Sequence, residues 1–318
     1  MSRCIAIAAG LFAATCTHAQ TYPAKPIRIV VPFAVGGIAD FAARSVSQRL
    51  SESLAGPVYV DNRPGAGGIT GSEIVAKAPA DGHTVLVTSI SHTINLSVHK
   101  NVPYDTRRDF VPVALIADAP NMLVTHPSLP VRSVKELIAL ARARPQEILY
   151  GSSGSGTSVH LSAELFKVLT NTQMVHVPYK SGGLAVTDLL GGHVQIMFAT
   201  LPTVLGHARA DRLRALAVTS SRRFTGAPQF PTMVEAGVRD YDVSGWTGMF
   251  APAGTPVEIV KRLASETSKI LATQKTKELF LTQGAEPGTR VLDDFGAFVD
   301  AEIVKWKKVV DFAGAKVD

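Results

Sequence analysis

The sequence predicts an α/β protein folded as a two-lobed clamp, and three observations carry that expectation. Strand-like apolar runs alternate with helix-like ones through most of the chain, which points to mainly parallel sheets. The alternation falls into two successive βαβ series. After Val243 it gives way to one strand-like stretch, GWTGMFAP, and then only helices, which have no strands of their own to cover and so pack back on the first series.

Taken in order, Ile27 to Val31 reads as a strand. Ala42, Val46, Leu50 and Leu54 then recur every four positions from Ile38, so a helix follows until Gly56-Pro57 stops it. Val58 to Val60, the glycine-rich turn RPGAGG (Arg63 to Gly68), a short helix around Glu73 to Lys77 and a strand at Val85 to Val87 complete the first series. The second follows runs at Val111 to Ile116 and Met122 to Thr125. Ser133 and Glu136 are spaced as a capping box for a helix that ends before Pro145. Strand Ile148 to Tyr150, helix Val159 to Leu169, strand Met174 to Val177, helix Leu184 to Leu190, and strands Val194 to Phe198 and Leu213 to Val218 come next. The closing helices are Pro256 to Ala272, a short one near Glu278, and Leu292 to Val310. The chain therefore crosses between lobes twice, near Asp118 to Met122 and near Tyr241 to Gly245. That assigns 20–120 with 244–318 to lobe I and 121–243 to lobe II.

Residues 1–19 read as a secretory signal peptide. Arg3 supplies the basic start, Ile5 to Ala14 an apolar run too short to span a bilayer, and Thr17 and Ala19 the small residues before cleavage. A lipoprotein reading through Cys16 is the alternative, with Thr15 bulky for a lipidation site. Cleavage removes both cysteines, Cys4 and Cys16, and with them any disulfide, thiol nucleophile or cysteine metal site. The full sequence is 46% hydrophobic and 18% charged, with a formal charge of +6 that is scattered rather than blocked. A solvated basic surface accounts for that charge, with attraction of anionic solutes a second reading. Nothing suggests nucleic acid binding, since no basic stripe is interleaved with aromatics. The expected location is the periplasm.

Four loops at strand ends are rich in Gly, Ser and Thr, where parallel sheets place ligands and helix amino ends. In PFAVGGIAD, Gly36 and Gly37 bare backbone amides, while Asp40 is either a first-turn acid bonded to the backbone or a ligand contact. In TSISHT (Thr88 to Thr93), Ser89 and Ser91 either cap backbone groups or meet a ligand, and His92 reads as structural. GSSGSGTSVH (Gly151 to His160) lacks the lysine of a P-loop and the GxGxxG spacing. It is no nucleophile elbow either, which leaves an anion nest suited to a carboxylate. VPYKSGG (Val177 to Gly183) adds paired glycines, the Tyr179 ring and Lys180. The nine histidines are dispersed, no metal-ligand spacing is present, and no serine is marked as activated. No cofactor or metal is expected, and the chain does not read as an enzyme.

The order YPxKPIR (Tyr22 to Arg28), PFAxGGxxD (Pro32 to Asp40), NRPGAGG (Asn62 to Gly68), DGHT (Asp81 to Thr84), SSGxGT with a following His (Ser152 to His160), HVPYKSGG (His176 to Gly183), LRALAVTS (Leu213 to Ser220), FPTMVEAG (Phe230 to Gly237) and FAPAGTP (Phe250 to Pro256) resembles the Bug family. These are extracytoplasmic solute-binding receptors associated with tripartite tricarboxylate transporters. The resemblance covers essentially the whole mature chain. It implies a type II periplasmic binding-protein fold, two lobes with a ligand cleft between them, closing on a small organic anion delivered to membrane permease subunits. It also permits delivery to a sensor kinase. An exported serine hydrolase using Ser153 or Ser155 is a further alternative, and the receptor is expected to act as a monomer. Carried over residue by residue, the ligand-binding set is Phe33, Ala34, Gly36, Gly37 and Asp40 on the first loop, Ser89 and Ser91 on the second, Ser153, Gly156, Thr157 and Ser158 on the third, and Tyr179, Gly182 and Gly183 on the fourth. Ala199 completes the set.

Three departures bear on the ligand. Val35 stands where the family has proline, Thr247 where it often has an aromatic, and Ala199 where it very often has aspartate. An acid at that last position would pair with an ammonium, so Ala199 predicts a receptor that does not favour amino acids. Leu201, Trp246 and Thr247 are further candidates for setting pocket size, Trp246 being either a core ring or a cleft wall.

Overall fold

The computed structural model describes residues 22–315. The signal segment, its cleavage after Ala19, and Cys4 and Cys16 lie outside the described residues. The chain opens with β1 (Ile27–Val31), α1 (Ile38–Leu54), β2 (Val58–Asn62), a single 3-10 turn (Ala66–Gly68), α2 (Ile69–Ala76), β3 (Thr84–Ser89), α3 (Ser91–Val98) and β4 (Phe110–Asp118). It continues through β5 (Asn121–Thr125), α4 (Val134–Ala143), β6 (Leu149–Ser152), α5 (Ser158–Thr170), β7 (Val175–Pro178), α6 (Gly182–Leu190), β8 (Ile196–Thr200), α7 (Leu201–Arg209) and β9 (Arg214–Val218). It then returns through β10 (Thr247–Pro252), α8 (Val257–Ala272), α9 (Gln274–Thr282), β11 (Glu286–Pro287) and α10 (Leu292–Ala313).

Two sheets result, one ordered β11-β4-β10-β3-β1-β2 and one ordered β7-β6-β8-β5-β9. Each is mixed rather than mainly parallel. The βαβ crossovers make β1 parallel to β2 and β3, and β6 parallel to β7 and β8. β10 runs antiparallel to β3 and β4, and β5 antiparallel to β8 and β9. The reason is the connectivity: β5 and β10 are the strands by which the chain enters one lobe from the other, so no crossover helix dictates their direction.

Helix α1 buries Ala42, Val46, Leu50 and Leu54, the stripe its spacing announces. At α4, Ser133 Oγ accepts the Glu136 N–H at 3.1 Å, while the Glu136 carboxylate takes the Arg132 N–H, one residue earlier than a capping box requires. α2 starts at Ile69, four residues before the sequence suggests, because the 3-10 turn runs straight into it. α8 packs against α1 and β4 as expected, whereas α10 lies on α3 and β4 and also on α5 of the second lobe.

The two crossings bind each other. Gly245 N–H donates to the Ala119 carbonyl at 2.8 Å, Pro120 and Ser244 form a bridge, and the Ser244 hydroxyl donates to Asp118. Burial pushes the Asp118 carboxyl above its usual range against the Ser244 hydrogen bond. One apolar cluster runs through this junction from Leu86 and Ile94, past Trp246 and Trp306, to Phe166 and Phe198.

Candidate functional site

A cleft of about 610 Å³ lies over the paired crossings, with Ala119 and Gly245 in its lining. Both lobes build it from helix starts: Gly36, Gly37, Ile38 and Phe41 at α1, Ser89 and Ile90 at α3, Ser153, Ser158 and Val159 at α5, Ser181 to Gly183 at α6, and Thr200, Pro202 and Thr203 at α7. The first-turn N–H groups of a helix have no acceptor within it, and the aligned peptide dipoles favour negative charge there. Five such ends on one cleft make it a place for an anion.

Of the residues singled out from sequence, Gly36, Gly37, Ser89, Ser153, Ser158, Gly182 and Gly183 line the cleft. The rest support it or stand apart. Gly36 has φ +91°, a conformation that strains other residues, and this aims its N–H back at the Asp40 carboxylate, 3.0 Å away. Asp40 is buried and accepts also from Asn62 Nδ2 at 2.9 Å and Arg44 Nε at 3.0 Å. Burial works to raise its pKa, but the hydrogen bonds from Arg44, Gly36 and Asn62 outweigh it and hold the carboxyl below its usual range. Asn62 Nδ2 reaches the Phe33 carbonyl as well, at 3.1 Å, so Asp40 and Asn62 together tie down the loop on which Phe33 and exposed Ala34 sit. Asp40 is a loop anchor.

Ser91 accepts the Ser89 hydroxyl at 3.2 Å. Thr157 is the α5 N-cap, accepting the His160 N–H at 3.4 Å and donating to the Gly154 carbonyl at 2.7 Å. Gly156, at φ +76°, donates its N–H to His160 Nδ1 at 3.1 Å. Tyr179 donates its hydroxyl to Asp188 at 2.7 Å, and burial with that carboxylate pushes it up to about 12. Ala199 is fully buried in β8, two residues beyond Met197, which lines the cleft.

Sequence reasoning missed Phe41, Ile90, Thr200, Pro202, Thr203 and Gln283 as lining. Pro202 near the start of α7 is a helix-start signal that could have revealed three of them. Leu201, Trp246 and Thr247, the candidates for pocket size, are all fully buried outside the lining. His92 is structural, enclosed by Tyr104, Phe110 and Phe250.

Behind the GSSGSGTS loop, the His160 and His176 rings stack at 4.0 Å, and the Tyr150 ring stacks against both, 4.9 Å from His176 and 6.3 Å from His160. His176 Nε2 meets Ser152 Oγ at 2.6 Å. Burial pushes His160 and His176 each down to about 4, and His92 to about 3. An unfolded histidine takes a proton near pH 6.5, so as pH falls protons bind the unfolded chain first. The stability these rings contribute is complete above about pH 6.5 and is lost progressively towards pH 4. Thermal melts at pH 7.5 and pH 5.0 are expected to show Tm lower at pH 5.0 by several degrees; a flat profile would contradict three neutral, buried rings. Among the described residues no cluster of His, Cys, Asp and Glu is placed to hold a metal ion.

Fold and cleft together define the class, a two-lobed solute-binding receptor. Residues 42–314 match the model of the tripartite tricarboxylate transporter family receptor. Protein BugT of Bordetella pertussis is 40% identical over the whole of this chain and 99% of its own length. Among solved structures, an R. palustris protein determined with adipate is 39% identical with TM-score 0.81, covering 93% of this chain and 100% of that one. MatC from Rhodopseudomonas palustris, with bound malate, is 29% identical with TM-score 0.77, covering 91% of this chain and 100% of that one. The chain belongs to the tripartite tricarboxylate transporter receptor family, on its Bug branch.

Proposed function

We propose that the mature chain captures a small carboxylate in the periplasm and presents it, lobes closed, to the permease subunits of a tripartite tricarboxylate-type transporter. The observation that carries this is the convergence of helix starts from both lobes on one cleft above the crossings. An anion bridging the two sides is bound best when they close, so binding itself shifts the lobes to the closed form. The adipate and malate held by relatives give the ligand class. We place lobe I at 20–120 with 244–318 and lobe II at 121–243, pivoting on the paired crossings. No described helix is long and apolar enough to cross a membrane, consistent with a periplasmic receptor such as the related BugD.

Geometry favours capture over hydrolysis. Ser153 donates to Thr157 at 3.3 Å rather than to a histidine. The loop serine that does meet a histidine, Ser152, is fully buried behind the cleft.

Native mass spectrometry of freshly purified mature protein, followed by denaturation, is expected to release a mono- or dicarboxylate. If none is released and no acid raises Tm in a thermal-shift screen, the proposal fails. Ligand at 100 times its Kd should add about 2.7 kcal/mol of stability. With Ala199 in place of an acid, calorimetry is expected to find succinate and glutarate bound at least about tenfold more tightly than aspartate and glutamate, whose ammonium meets no carboxylate in the lining. Tighter binding of the amino acids would refute that.

A further inference from the structure

We infer that the receptor selects acids with a hydrocarbon body over hydroxylated acids of the same charge and length, an inference that rests on the carboxylate reading above. Between the helix starts the cleft walls are Ile38, Phe41, Ile90, Val159, Met197 and Pro202. Among the described residues, none in the lining carries a formal charge.

Every lining hydroxyl but that of Ser158 is engaged with the chain itself. Ser89 bonds Ser91 at 3.2 Å and Ser153 bonds Thr157 at 3.3 Å. Ser181 accepts the Leu184 N–H at 3.4 Å. Thr203 donates to the Thr200 carbonyl at 2.7 Å and meets the Thr200 hydroxyl at 3.2 Å. All of these lie at helix starts, where the carboxylate goes. Among the described residues, Ser158 and Gln283 remain as lining polar side chains with no such bond.

A ligand body therefore meets the free Ser158 hydroxyl, the uncommitted Ser181 proton and the Gln283 amide, set against six apolar walls. Methylene or ring carbons gain from leaving water for such walls. A hydroxylated body carried into the same space gives up more water than the few uncommitted side chains there can replace, and that loss decides the preference.

The test is calorimetric titration of the mature chain with pairs matched in charge and chain length: adipate against galactarate, its tetrahydroxy analogue, and hexanoate against gluconate. The hydrocarbon member is expected to bind at least about tenfold more tightly in each pair that binds at all. A hydroxylated member that binds as tightly or more tightly in either pair overturns the inference and leaves the carboxylate reading intact. If neither pair nor any other acid binds, the carboxylate reading fails and this inference falls with it. Ile38→Ser, half-buried at the start of α1, is expected to narrow the adipate preference several-fold with the melting profile preserved. An unchanged ratio in a folded variant counts against these walls, and if the variant does not fold the unmutated chain still decides.

Discussion

Glu302→Ala is expected to destabilise the chain by about 3–5 kcal/mol. Glu302 is 4% exposed on α10, and its Oε2 accepts the indole N–H of Trp246 at 3.0 Å and of Trp306 at 2.9 Å. Lys305 pairs with the same carboxylate and remains partly solvated. Alanine would leave two fully buried indole donors without a partner, at about 1–3 kcal/mol each, besides the lost packing. The effect reaches beyond α10. Trp246 immediately precedes β10 at the second crossing, and α10 also packs on α5, so this carboxylate fastens the helix to the paired crossings. Glu302→Gln keeps an acceptor for the indoles and is expected to cost about 1 kcal/mol. Chemical denaturation of the three proteins decides the matter. A Glu302→Ala midpoint within the range of the glutamine variant would mean that the indoles find other partners and the anchor is misassigned.

What could be read in advance follows from how local the physics is. Helix α1 was legible because its stripe repeats every four residues and Gly56-Pro57 ends it. β1 and β3 were legible because strands buried on both faces are continuous apolar runs. α3 was not. SHTINLSV is rich in β-branched and hydroxyl residues with weak helix preference, and it is helical because Thr93, Ile94, Asn95 and Val98 are buried against the rest of lobe I. The direction of β5 and β10 depends on which lobe the chain arrives from, which no window of sequence contains. Two of the loops that line the cleft were legible because paired glycines, Gly36-Gly37 and Gly182-Gly183, stand where a helix opens, whereas the start of α7, with no glycine, was not. Gln283 was not, because only the tertiary fold brings the end of α9 to the cleft. Asp40 was legible as a first-turn acid, but its partner Asn62 stands 22 residues away at the end of the neighbouring strand.

That pairing sets the expected outcome of Asp40→Ala, a loss of about 100-fold in affinity for the acid the protein retains, with the fold preserved. Two effects oppose each other. Removing a carboxylate near an anion site reduces repulsion, which alone would tighten binding. Yet Arg44 already pairs with Asp40, so much of its charge is neutralised locally, and the residual repulsion across solvent is screened. Against this, alanine releases the Gly36 N–H, frees Asn62 from one of its two loop contacts, and leaves the backbone from Phe33 to Gly37 to be ordered by the ligand. Ordering costs about 1–2 kcal/mol per residue fixed. Even partial freedom over these residues exceeds the repulsion relieved, and about 2.7 kcal/mol corresponds to the 100-fold loss. Asp40→Asn retains an acceptor for Gly36 but weakens the Arg44 pair, so an intermediate loss of about tenfold is expected. Because the Asp40 pKa is lowered, the carboxylate stays ionised across neutral and mildly acidic pH, and the ratio between unmutated and alanine proteins should hold from pH 7.5 to pH 6. Calorimetry with the identified acid, beside circular dichroism of each variant, separates the two effects. Tighter binding by Asp40→Ala would show that repulsion dominates and that the loop is held by other means.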